Sequence, residues 1–158
     1  MKKLVTTFFL LIPILLCAQS NKYEKIISEL SAQYKISSLT FSKEAFALLT
    51  YFDIQLKDEM KALIDDIETL KIVTPSENYG TEYVNTVCSI FSDSNLREVD
   101  VSRYVTKANQ CNVFVDNNLL SISEAHIIVN GTIVSFFGKF KHSDIRKLIK
   151  SADKVNAN

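Results

Sequence analysis

The chain has 158 residues, 47% of them hydrophobic and 23% charged, an ordinary globular composition that fits one domain with a sizeable core. Lys+Arg and Asp+Glu both number 18, so no global field points to nucleic acid or to a membrane surface. Three Gly and two Pro are few, and no internal repeat or low-complexity segment is present, which excludes repeat and linker-rich classes.

The N-terminus reads as a secretory signal rather than as part of the fold. Met1-Lys2-Lys3 is a basic start, and Leu4 to Leu16 is a largely apolar run interrupted by Pro13. That run is shorter than the roughly 20 residues a spanning helix needs. Cleavage near Ala18 leaves residues 19–158 as a single domain, exported to the periplasm or beyond, with no transmembrane helix. The mature chain then carries 16 basic against 18 acidic residues, net −2. A lipid anchor at Cys17 requires small residues just before the cysteine, and Leu15 and Leu16 argue against it. Cys88 and Cys111 remain, either bridged in an oxidising compartment or buried as small apolar side chains.

In chain order, Lys22 to Lys35 predicts an amphipathic helix, with Tyr23, Ile26, Ile27, Leu30 and Tyr34 at helical spacing. A short strand follows at Ser38–Phe41, and Ser42 is a good N-cap for a helix over 43–51. A further helix is predicted from Leu56 to Glu68, with Leu56, Met60, Leu63, Ile64 and Ile67 on one stripe. Leu70–Thr74 reads as a strand ended by Pro75. Thr81 to Phe91 reads as a helix facing inward through Val84, Val87, Cys88 and Phe91. Strands are expected at 96–101, 111–116, 120–129 and 132–140, and a closing helix at 143–155 with Ile145, Leu148, Ile149, Ala152 and Val155 inward.

The clearest local signal is Asn130-Gly131, a two-residue hairpin turn between apolar runs. It pairs Val129 with Thr132, Ile127 with Val134 and Ala125 with Phe136 on one apolar face. The other face carries Ile128/Ile133, His126/Ser135 and Glu124/Phe137, a mixed set expected to be partly wet. The preceding strand places Val113 and Val115 beside Ala125 and Ile127 only if the loop is longer than two residues. The fold class is therefore α+β: an antiparallel sheet with a C-terminal meander or hairpin, and helices covering one face.

Three segments carry a resemblance across nearly the whole mature chain. They are Thr40-Phe41-Ser42-Lys43-Glu44-Ala45-Phe46-Ala47-Leu48-Leu49 running into Leu70–Thr74; Ile122-Ser123-Glu124; and Ser135-Phe136-Phe137-Gly138 followed by Ser143-Asp144-Ile145. In these the chain resembles a Bacteroidota family of small exported proteins grouped as a domain of unknown function. His126 departs from the pattern, standing where an aliphatic residue is typical. The resemblance implies export and an α+β domain, and it transfers no activity and no site residues.

Chemistry-bearing groups are sparse. Glu124, His126 and Ser135 share one face of the hairpin, but a flat hairpin makes no nucleophile elbow and offers no oxyanion donors, so a polar cross-strand cluster is the simpler account. His142 adjoins the start of the last helix. Cys88, Cys111, His126 and His142 lack the close pairs of zinc sites. Asp65, Asp66 and Glu68 lack the spaced oxygens and glycine of a calcium loop. Gly80, Gly131 and Gly138 form no phosphate loop, so no cofactor is expected. Asn130-Gly131-Thr132 matches a glycosylation acceptor but is more simply the hairpin turn.

One asymmetry survives. Residues 53–68 hold six acids against two lysines, net −4, and 139–154 hold six bases against two acids, net +4. Lys139, Lys141, Arg146, Lys147, Lys150 and Lys154 are the candidate interaction patch. Their simplest account is the outer face of an amphipathic helix. The sequence thus leads to a small exported envelope protein without catalytic machinery, an interaction or accessory module for another envelope protein. Binding a small ligand, or serving in envelope signalling, is the alternative.

Overall fold

A computed structural model describes residues 22–45, 48, 63–103, 111–118 and 120–156. The hairpin that dominates the sequence is formed by β5 (Ile122–Val129) and β6 (Thr132–Phe140), closed by Asn130 at φ 48° and Gly131 at φ 83°. Two positive φ values in a two-residue loop match the right-handed twist of the flanking strands, and Asn-Gly supplies both with little strain. The register is as expected: Val129↔Thr132, Ile127↔Val134, His126↔Ser135 and Ala125↔Phe136.

Beside the hairpin lie β4 (Cys111–Val115) and β3 (Arg97–Val99) on one side, and β2 (Ile67–Pro75) and β1 (Ile36–Ser42) on the other. The six strands run in the order β1-β2-β6-β5-β4-β3, every neighbouring pair antiparallel. Val113 pairs with Ile127 and Val115 with Ala125, so the longer β4–β5 loop places both valines on the apolar face. Asp116 holds that loop, its Oδ2 accepting from the backbone N–H and the hydroxyl of Ser123 at 3.1 and 2.6 Å.

On that first face, Val113, Val115, Ala125, Ile127, Val129, Val134 and Phe136 pack beneath α3 (Ile145–Asn156), which contributes Ile145, Leu148, Ile149 and Ala152. A register shift near the ends of β5 and β6 separates Glu124↔Phe137 from Ile122↔Phe140. Such a bulge re-aims side chains, and here it turns Ile122 and Phe140 into the same core. Gly138 sits within it. A Cβ there would collide with the carbonyl oxygen of Asp66, so the close approach of two backbones requires glycine.

The opposite face is not wet. A helix, α2 (Gly80–Asp93), connects β2 to β3, which lies at the far edge of the sheet, and so it must cross this face. Phe91 of α2 stacks on Phe114 of β4 at 5.6 Å and lies tilted against His126 at 5.0 Å. The centre of the sheet is therefore covered on both sides, by α3 over the expected apolar face and by α2 over the mixed one.

Other boundaries also differ from expectation. The helix predicted over 56–68 lies outside the described residues up to 62; from there Leu63 leads into a 3₁₀ turn at Ile64–Asp66, and β2 already begins at Ile67. Ile67 is wholly buried and pairs with Gly138, so tertiary pairing overrides the helical stripe. In α2 the buried residues are Tyr83, Val87 and Phe91, while Val84 and Cys88 are only half-buried. After β3 the chain turns into a 3₁₀ segment at Val101–Arg103, and the predicted extension through Tyr104 and Val105 lies outside the described residues. The helix predicted over 43–51 is described only at 43–45 and 48, where the Ala45 N–H donates to Ser42 Oγ at 3.4 Å, the expected cap.

The chain divides into two compact units, Met1–Lys35 and Ile36–Asn158. In the first, α1 spans 22–33 with Tyr23, Ile26 and Leu30 buried, the spacing of its sequence stripe. All six strands belong to the second.

Candidate functional site

Among the described residues, three places bring together groups with chemical potential. The first is the sheet face beneath α2. His126 Nδ1 lies 2.9 Å from Ser135 Oγ, and Nε2 lies 3.4 Å from Glu124 Oε2. The pairing His126↔Ser135 and the i, i+2 relation of Glu124 to His126 put all three on one face. Phe91 caps the imidazole, and Phe137 meets it edge-on at 5.7 Å, with Lys71 Nζ 5.8 Å from the Phe137 ring. The order carboxylate–imidazole–hydroxyl is that of a triad, but His126 is 1% exposed and Ser135 is fully buried. A nucleophile with no path to solvent meets no substrate. The cluster is a buried polar set in an otherwise apolar layer, with Glu124 at 7% the most exposed of the three.

The second place is the basic run. Lys139, Lys141, Arg146 and Lys150 are exposed, and Arg146 and Lys150 are four apart on the outer face of α3. Lys147 is only half exposed, because its Nζ donates to Asp144 Oδ1 at 2.9 Å. Asp144 also accepts the Lys141 backbone N–H at 3.1 Å, closing the turn that starts the helix. Burial pushes the Asp144 carboxyl up, but these two hydrogen bonds and the nearby Lys147 and Lys141 charges outweigh it and hold it below the usual range. The Lys154 side chain lies outside the described residues. The predicted patch thus resolves into an exposed pair on α3, two exposed lysines before it, and one lysine committed to a cap. Of the acidic run, Asp65, Asp66 and Glu68 are exposed, and 53–62 lie outside the described residues.

The third place is a cleft of about 520 Å³ at the turn end of the β5–β6 hairpin. Pro75–Gly80 forms one wall, Tyr83 and Val84 of α2 another, and Asn130-Gly131 the third. Gly131 lies 3.4 Å from the Tyr83 ring, measured from where a Cβ would stand, and Tyr79 and Tyr83 lie 5.8 Å apart. Asn78 Oδ1 accepts the Gly80 N–H at 3.1 Å, turning the chain into α2. Sequence reasoning passed over this place. Its signal was the turn chemistry of Asn78-Tyr79-Gly80, but the cleft exists only because α2 starts beside the hairpin turn.

Neither cysteine is poised for chemistry. Both are thiols, Cys88 on α2 over the second face and Cys111 in contact with the first-face core, so the sheet separates them and they do not bridge. Burial, then the Asp153 charge, raises the Cys111 thiol to about 11. Burial and Glu98 likewise raise Cys88. Among the described residues, no group of three or more His, Cys, Asp or Glu is placed to hold a metal, and no helix is long and apolar enough to cross a membrane.

The chain matches no family model, no curated protein and no solved structure.

Proposed function

We propose that this chain is a small exported interaction module of the cell envelope, and that it binds an acidic segment of another envelope protein without chemistry of its own. The observation that carries this is the disposition of α3. Its inner face is locked into the core by Ile145, Leu148, Ile149 and Ala152, while Arg146 and Lys150 stand exposed on the outer side. A helix anchored in this way presents its cations on a rigid support, which lowers the ordering cost of binding. The burial of Glu124, His126 and Ser135 supports the same reading, since the one catalytic-looking set among the described residues is closed from solvent. The test is affinity capture from envelope extract, comparing the native protein with an Arg146→Glu/Lys150→Glu variant. An acidic partner captured by the first and lost by the second supports the reading. Equal capture by both, or nothing above background, overturns it.

A second reading, a small-ligand binder, is favoured by the cleft alone, whose volume lies within the range of small-molecule sites. Thermal-shift screening with Tyr79→Ala as control decides it: a ligand-induced rise in Tm that disappears in the variant supports binding there.

A further inference from the structure

The two edges of the sheet are built differently. At one end β3 is three residues long, carries Arg97 and Glu98, and runs straight into a 3₁₀ turn. Shortness and charge are the ordinary means by which an edge is kept from pairing. At the other end β1 has none of these. It is seven residues long, Ile-Ser-Ser-Leu-Thr-Phe-Ser, with no charge and no proline, and it pairs with β2 without a register break from Ile36↔Pro75 to Ser42↔Thr69. Ser37, Ser38, Leu39 and Thr40 are all exposed, and Leu39 is 60% exposed. Among the described residues, no strand pairs with the outer side of β1. Alternate residues of an edge strand direct their N–H and C=O groups outward, so β1 presents a regular, uncharged pairing template.

We propose that β1 is a self-association edge, which pairs antiparallel with β1 of a second copy to make one continuous twelve-stranded sheet. The strand's own pattern selects this occupant. A two-fold axis through Thr40 places Thr40 opposite Thr40, Leu39 opposite Phe41 of the other copy, and Ser38 opposite Ser42. Those are hydroxyl–hydroxyl and apolar–apolar pairs, each of a kind that stabilises neighbouring strands. No residue of β1 carries a charge, so no like charges meet across the seam. Leu39 and Phe41 lie on the first face, since Leu39 pairs with Ile72 and Phe41 with Leu70. Phe41 and Ile72 already pack against the main core, so the new Leu39–Phe41 contacts extend an existing apolar row. The interface is isologous and closes at two copies. Its modest strand-sized area makes it a concentration-dependent dimer rather than an obligate one.

Sedimentation equilibrium of the purified protein over a wide concentration range tests this, with Leu39→Lys and Thr40→Cys as variants. The expected results are a monomer–dimer equilibrium, at least a tenfold weakening in Leu39→Lys, and no change in Arg97→Ala at the opposite edge. Because Leu39 is exposed, Leu39→Lys should keep the native circular dichroism and Tm. Thr40→Cys, oxidised with a copper–phenanthroline reagent, should form a disulfide-linked dimer, whereas Leu39→Cys and the native protein should not. A monomer at every concentration overturns the proposal. So does a dimer that Leu39→Lys leaves intact, or cross-linking that is equal at positions 39 and 40.

Discussion

Gly138 and Asp144 show how much of this fold rests on single groups. Gly138 is needed because the Asp66 carbonyl occupies the place of a side chain, not because of an unusual φ. Gly138→Ala must push β6 away from the turn before β2, and overpacking of that kind costs roughly 1–3 kcal/mol. Urea unfolding should show a lower midpoint with an unchanged slope. Asp144 closes the turn into α3, and its folded-state pKa is depressed. Between the folded and unfolded pKa values the unfolded chain binds more protons, so stability rises with pH there. The contribution is in place at neutral pH and is lost as pH falls through and below the ordinary carboxylate range. Unfolding followed from pH 7 down to pH 3 should therefore show a shallower acid decline in Asp144→Asn than in the native protein. At the same scale lies the clearest failure of sequence reasoning. The Glu124, His126 and Ser135 cluster was placed correctly in register but given to solvent, because alternation along a strand reports which residues share a face and not what covers it.

At the scale of elements, α3 was legible and α2 was only half so. Every described inward position predicted for α3 is buried, because i, i+3, i+4 spacing with charges between leaves one solution. For α2 the boundaries and the inward Val87 and Phe91 were found, but Tyr83 faces in where Val84 and Cys88 were expected. Its destination was invisible, since it depends on β3 pairing at the far edge, a contact that no local pattern encodes. The same distinction yields a prediction about α3. Ile149→Ala opens a cavity beneath the helix and should cost roughly 2–5 kcal/mol, whereas Arg146→Glu/Lys150→Glu should change stability by less than about 0.5 kcal/mol. Thermal unfolding of the two variants separates anchoring from presentation. The β5–β6 hairpin was the most legible element of all, because Asn130-Gly131 fixes the turn and the turn fixes the register. Ile67 was the reverse case, a residue whose local pattern favoured helix and whose pairing partner is seventy-one positions away.

For the molecule as a whole, the sheet is graded from centre to edges. β5 and β6 are paired on both sides and largely buried on both faces, while among the described residues β1 and β3 are paired on one side only. Amide hydrogen exchange should follow that gradient. Protection should be greatest at Ile127, Ile128, Ile133 and Val134 and least in β1 and β3; a chain protected most strongly in β1 would contradict the architecture. Added protection of β1 at high protein concentration would belong to self-pairing rather than to the monomer.

The strand order also sets a schedule. The middle of the sheet is written last: β2, complete at residue 75, finds its inner neighbour only when β6 has been made, up to residue 140. Until then, β1 and β2 are at most a two-stranded ribbon, which is marginal in water without a third strand or a packed helix. Everything through Phe140 must therefore be synthesised before the central pairing can close. Before the last hairpin exists the β1–β2 ribbon has no inner neighbour, and the sheet closes only around that hairpin.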